Sequence, residues 1–247
     1  MNPLATARRL LRLASHRLSL KPLPVSELAA PETLDLLDGY LFREMVHIFQ
    51  TEGPDVSGYV NYYTQRVTRG GRALSGYDRM LVEYFGQYFD RPSRRVLHVG
   101  PGLGTLAAAL AADGFTVAAV ERDELRFRST QRLRAALIEA WPSMAERYQL
   151  VAGSFPEVLE PAWLSASTVL VFTNCVASWS AEFTAGIIEL FPRVGDVLLD
   201  TRVFGNLRES AAERQVLIEQ IEAQGLHVSP IEATPAGSFY VHVTRRD

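Results

Sequence analysis

The sequence predicts a doubly wound α/β fold: a seven-stranded, mostly parallel sheet ending in an antiparallel hairpin, preceded by an N-terminal helical lid region. Three observations carry this. From Arg94 onward, short apolar runs alternate with amphipathic stretches, the rhythm of parallel strands joined by right-handed helical crossovers. The first run empties into a glycine-rich turn. The last two runs, at 225–231 and 238–245, are separated only by a turn containing Pro235 and Gly237, which reads as a hairpin.

In chain order, the first 21 residues carry Arg8, Arg9, Arg12, Arg17 and Lys21 without an acid. With Leu10, Leu11 and Leu18 they suit a surface helix, since neither a small-residue cleavage site nor a long apolar core follows. Pro31-Glu-Thr33 opens a helix over 32–51, with Leu34, Leu37, Leu41, Met45 and Ile48 near a 3.6-residue period. Gly53-Pro54 breaks it, and a tyrosine-rich stretch around Tyr59, Tyr62 and Tyr63 follows. A second helix spans 75–89. Strands are then expected at 96–99, 117–120, 148–152, 169–173 and 197–201, with helical stretches near 105–112, 123–140, 181–190 and 209–224. The expected division is a helical region at 1–90 and a ligand-binding domain at 91–247.

Composition bounds the function. The chain has 247 residues, 47% hydrophobic and 21% charged, with a net charge of −3, a balance that exerts no overall pull on nucleic acid or anionic membrane. Lys21 is the only lysine among the basic residues, which fits GC-rich, bacterial coding. Cys175 is the only cysteine, so no disulfide framework exists within the chain and a cytoplasmic location is expected. No apolar run nears the ~18 residues of a membrane span. The five histidines are scattered without metal-ligand spacing, and neither a serine elbow nor a paired-carboxylate pattern is present. The expected partner is a small molecule, with no metal, nucleic acid or membrane involved and a homodimer left open.

The chemistry-bearing motif is Arg95-Val-Leu-His-Val-Gly100-Pro-Gly102-Leu-Gly104-Thr, a buried strand running into a glycine loop and a helix. The second strand ends at Glu121, 21 positions after Gly100, where its two oxygens can accept from both hydroxyls of a ribose. Together these point to a nucleotide-type ligand. A dinucleotide fingerprint needs glycine at position 105, where Thr105 stands.

Over about residues 73–247 the chain resembles the class I S-adenosylmethionine-dependent methyltransferases, whose fold has seven strands with the last antiparallel. The resemblance implies S-adenosylmethionine as co-substrate. It places Gly100, Gly102 and Gly104 under the methionine arm, Glu121 on the ribose, and Gly153-Ser154-Phe155 beside the adenine. Two positions depart from the family. Ser154 stands where an acid is common, and His98 stands where an Asp or Glu helps hold the amino-acid end. His98 is either a cofactor contact or a core histidine.

Asn174, at the end of the fourth strand, either contacts the reacting group or closes a turn. Tyr63 and Tyr77 precede the first strand, where a lid element often crosses the cofactor; they either serve the site or pack a helical bundle. Asn174, Tyr63 and Tyr77 are the candidate catalytic residues. Ala119-Val-Glu121, Gly153-Ser-Phe155 and Val171-Phe-Thr-Asn174 also resemble the non-SET histone-lysine methyltransferases, although no basic tail suggests a nucleosome. Tyr59-Val-Asn61-Tyr62, Tyr77-Asp78, Leu81 and 181–188 resemble the nicotianamine synthases, which transfer the cofactor's aminocarboxypropyl arm and release methylthioadenosine. Methyl transfer to a small amine or amino-acid-like metabolite is the first expectation. The alternative is aminocarboxypropyl transfer or cyclisation to azetidine-2-carboxylate.

Overall fold

The computed structural model describes residues 31–52, 72–91, 93–173, 181–201, 211–231 and 239–245. Among them, α1 (Pro31–Glu52) and α2 (Gly76–Tyr88) precede β1 (Arg95–Val99), α3 (Thr105–Ala112), β2 (Thr116–Glu121), α4 (Glu124–Ala140), the one-turn α5 (Met144–Arg147) and β3 (Tyr148–Ala152). Then come β4 (Thr168–Phe172), α6 (Ala181–Ile188), β5 (Asp196–Asp200), α7 (Ala211–Glu222), β6 (Leu226–Pro230) and β7 (Tyr240–Arg245). The basic stretch at 1–21, Tyr63, Asn174 and Cys175 lie outside the described residues.

Seven strands form one sheet in the order β3-β2-β1-β4-β5-β7-β6. Strands β1 to β5 run parallel, and β7 pairs antiparallel with both neighbours. The expected hairpin exists, but its second strand inserts between β5 and β6 and leaves β6 at the edge. Between β3 and β4 the regular crossover helix is absent. A single 3₁₀ turn, Pro161–Trp163, occupies the connection.

Each strand sends alternate residues to opposite faces. Val96, Val117, Ala119, Val169, Val171 and Leu198 pack with Leu37 and Leu41 of α1, Leu81 and Phe85 of α2, and the apolar sides of α3 and α4. Leu97, Val99, Val120, Leu170, Phe172 and Leu199 pack with Ile187, Phe191, Leu217 and Ile221. Covering both faces explains why β4 is apolar from Val169 to Phe172 and why β5 carries Val197-Leu-Leu199 between two buried aspartates. The two N-terminal helices therefore share a core with the β1–α3–β2 unit.

Local signals set the helix starts. Ser75 and Asp78 form a reciprocal capping box ahead of α2, with bonds of 3.0 and 2.7 Å. Asp123 caps α4 by accepting from the Arg126 amide at 2.9 Å. Toward the amino ends of the strands, His242 joins the Tyr84 hydroxyl to Asp196, each at 2.8 Å, and Asp196 also meets Arg94 at 3.2 Å. Burial pushes the Tyr84 hydroxyl up to about 12, so it remains a donor. Among the described residues, no helix is long and apolar enough to cross a membrane.

Candidate cofactor site

The chain order reverses direction across the sheet between β1 and β4, and in such folds the ligand crevice opens there, at the carboxyl ends of the strands. The loop leaving β1 is tied to the sheet at once, because Gly100 donates to the Val120 carbonyl at 2.9 Å. Gly100, Gly102 and Gly104 all take positive φ, at 64°, 63° and 76°. Such values suit glycine and disfavour other residues.

Gly104 is required by the protein's own packing. A Cβ there would lie 2.5 Å from Thr130 Cγ2 and 2.6 Å from the Tyr148 hydroxyl. The single Thr130 hydroxyl proton is shared between the Gly102 carbonyl at 3.1 Å and the Arg126 carbonyl at 2.9 Å, and the buried Tyr148 hydroxyl donates to the Gly104 carbonyl at 3.3 Å. Two side chains thus hold the loop's shape from below. Neither was legible as a site residue, since each looks in sequence like an ordinary core position.

Glu121 ends β2 directly beside this loop and is 4% exposed. Its Oε1 accepts from the Asp123 amide at 3.0 Å, while its buried Oε2 has no well-formed hydrogen bond among the described residues, the Gly102 amide being only a weak donor to the carboxylate. Burial raises its pKa above the usual carboxylate range, and the Asp123 and Gly102 amides and Arg126 pull against that rise. A buried carboxylate oxygen without a donor costs on the order of 1–3 kcal/mol, so the position suits a ligand that brings hydroxyl donors. The Glu121 carbonyl also accepts from the Gly153 amide at 3.0 Å, which fixes the loop after β3 next to it.

In that third loop, Gly153 has φ 129° and lies against Val158, where a Cβ would come within 2.3 Å of a methyl group. Ser154 is half-buried, and its carbonyl accepts from the Val158 amide at 3.2 Å. The Phe155 ring is buried edge-on to Phe172 at 5.5 Å in the second core. Its side chain is therefore occupied by packing, which leaves Ser154 and the backbone to face a ligand.

His98 sits on β1 between β2 and β4, 1% exposed. Its Nε2 is 2.8 Å from the Thr173 hydroxyl, and its buried Nδ1 has no partner among the described residues. Burial lowers its pKa to about 4, so the imidazole is uncharged near neutral pH. Thr173 was a missed site neighbour; its signal was its place at the carboxyl end of the strand beside β1. Tyr77 lies in the first turn of α2, half-buried, with its ring 5.4 Å from that of Tyr240. The structure thus gathers Gly100, Gly102, Gly104, Glu121 and Ser154 around the ends of β1 to β3, with His98 beneath. Among the described residues, no group of three or more His, Cys, Asp or Glu side chains could hold a metal ion.

Neither a family model nor a curated relative matches the sequence. Solved structures do match. A TehB-like SAM-dependent methyltransferase from Corynebacterium glutamicum superposes with a TM-score of 0.52 at 14% identity, over 76% of this chain and 96% of that one. The chain has the fold of the S-adenosylmethionine-dependent methyltransferases. The CcbJ methyltransferase from Streptomyces caelestis gives a TM-score of 0.51 at 14% identity, over 72% and 92% of the two chains. The glycopeptide N-methyltransferase MtfA complexed with sinefungin gives 0.50 at 13% identity, over 81% and 91%.

Proposed function

We propose that the chain is an S-adenosylmethionine-dependent methyltransferase acting on a small amine or amino-acid-like metabolite. The observation that carries this reading is Glu121: one carboxylate oxygen is held by an amide, and the other is buried beside a glycine loop with no well-formed hydrogen bond among the described residues. Those features fit a ribose. In this reading Gly100, Gly102 and Gly104 pass under the methionine arm, and Ser154 with the Phe155 backbone borders the adenine. His98 is the described candidate for the amino-acid end and Tyr77 for the acceptor, while the candidates Tyr63 and Asn174 lie outside the described residues.

When bound, S-adenosylmethionine supplies a methyl group activated by its sulfonium charge. The chain's part is to bind, orient and exclude water so that the acceptor lies in line. Glu121 fixes the nucleoside end through two acceptor oxygens. The neutral His98 places a polar nitrogen, without a charge, beneath the loop.

That neutrality also favours a second reading. An acid at position 98 would hold the cofactor's ammonium charged, whereas an imidazole leaves the amine free to lose its proton and act as a nucleophile. Aminocarboxypropyl transfer or cyclisation would follow. Identification of the nucleoside product after incubation with S-adenosylmethionine and amine acceptors separates the two. S-adenosylhomocysteine supports methyl transfer, and methylthioadenosine above a no-enzyme blank would sink it.

The carboxylate also sets a pH dependence. Ribose hydroxyls donate to the ionised form, so binding lowers a Glu121 pKa that burial has raised. Affinity should therefore be full above the free-state value and fall, by at most about tenfold per pH unit, as pH drops through it. Calorimetry at successively lower pH should show this loss for the unsubstituted protein. A flat profile for Glu121→Gln would assign it to this residue.

A further inference from the structure

The glycine loop is gripped from outside the sheet by α1, along two routes. In the first, the Tyr40 hydroxyl donates to the Ser129 carbonyl of α4. The buried Glu44 carboxylate accepts from the Ser129 hydroxyl at 2.5 Å and takes both arms of Arg132, with Nε at 3.0 Å. The next residue, Thr130, bonds the Gly102 carbonyl and fills the space a Cβ of Gly104 would need. In the second route, Asp38 accepts from the Ala73 amide and from Arg72, each at 2.6 Å. The Ala73 carbonyl in turn faces the Thr105 hydroxyl, 3.4 Å away, at the residue directly after Gly104.

Three glycines in six residues make a loop with little conformational preference of its own. Ordering it at the moment of binding would cost affinity, so a scaffold that orders it beforehand strengthens binding. Burial alone would raise the Glu44 pKa, but the Arg132 and Ser129 bonds outweigh it and keep the group ionised.

We propose that Glu44 is a positioning residue for the cofactor loop, acting through Ser129 and Thr130 of α4, so that α1 is a fixed part of the cofactor site. The inference deepens the functional reading above and rests on it for the ligand, while the state of the loop can be read without any ligand.

The test is a double-mutant cycle in S-adenosylmethionine affinity with Glu44→Gln and Thr130→Val, joined to amide exchange of residues 100–105 in the cofactor-free protein. Each single substitution should weaken binding about tenfold, and the pair by no more than about twentyfold, because both act along one route. Glu44→Gln should also speed exchange at Gly102 and Gly104 by about fivefold or more. An additive loss near a hundredfold would overturn the proposal. So would a Glu44→Gln protein with a lowered melting temperature but unchanged affinity and loop exchange, since that is how a merely stabilising contact behaves. If Glu44→Gln fails to fold, Asp38→Asn probes the second route with the same readouts. An unsubstituted protein that does not bind S-adenosylmethionine would remove the functional reading alone, leaving the exchange comparison to decide the role of Glu44.

Discussion

Replacing Glu121 with alanine should weaken S-adenosylmethionine binding by about a hundredfold. Two hydroxyl donors on one ionised carboxylate form charge-assisted bonds worth about 1.5–3 kcal/mol each, and even partial loss of the pair amounts to roughly 3 kcal/mol. At ~1.4 kcal/mol per decade, that is about two orders of magnitude. Alanine also strips the Asp123 amide of its acceptor and leaves a void, so the effect on the fold is read from the shape-keeping glutamine. Glu121 is buried with one oxygen lacking a well-formed hydrogen bond among the described residues, so the free protein already bears the cost of keeping it. Glu121→Gln, which keeps the shape, should leave the melting temperature unchanged or raised by a few degrees while still losing most of the affinity. Calorimetry beside a thermal melt checks both halves. A variant that binds as tightly as the unsubstituted protein would remove the assigned role.

The largest expected stability effect belongs to Gly104→Ala. The residue has φ +76°, and the added carbon would come within 2.6 Å of both Thr130 and Tyr148. Left-handed backbone costs alanine about 1–2 kcal/mol, and crowding a packed interior adds about 1–3 kcal/mol. The sum, near 3 kcal/mol, should lower the melting temperature by about 10 °C. Gly225 supplies an internal control, since it has the same φ of +76° with nothing within 4 Å of the added carbon. Gly225→Ala should lose only the backbone part, about 3 °C. Equal losses at the two sites would mean that the contacts beneath the loop carry no energy.

That pair of glycines also marks what the amino-acid sequence reveals and what it hides. The strands were legible because parallel strands covered on both faces are apolar along their middle, as in β4. Glu121 and the glycine loop were legible because their spacing follows from one β–α–β unit. Helix starts at Ser75 and Asp123 were written in local capping chemistry. The contacts that shape the site were hidden, because they join residues distant in the chain. Glu44 and Arg132 are 88 positions apart, and His98 and Thr173 are 75 apart. The reason for Gly104 was hidden too: the loop's spacing suggests room for a ligand, whereas the close approach comes from Thr130 and Tyr148. The packing of the Phe155 ring against Phe172 was hidden for the same reason. The place of β7 inside the sheet rather than at its edge is a choice of pairing that no single strand encodes.

If the loop after β1 and the carboxylate ending β2 hold S-adenosylmethionine, the unsubstituted protein binds that compound without any partner. A calorimetric titration of the unsubstituted protein with that compound, run beside one with NAD, addresses it most directly. Saturable one-site binding of S-adenosylmethionine and none of NAD is the expected result. Absence of S-adenosylmethionine binding, or binding of NAD in its place, would contradict it.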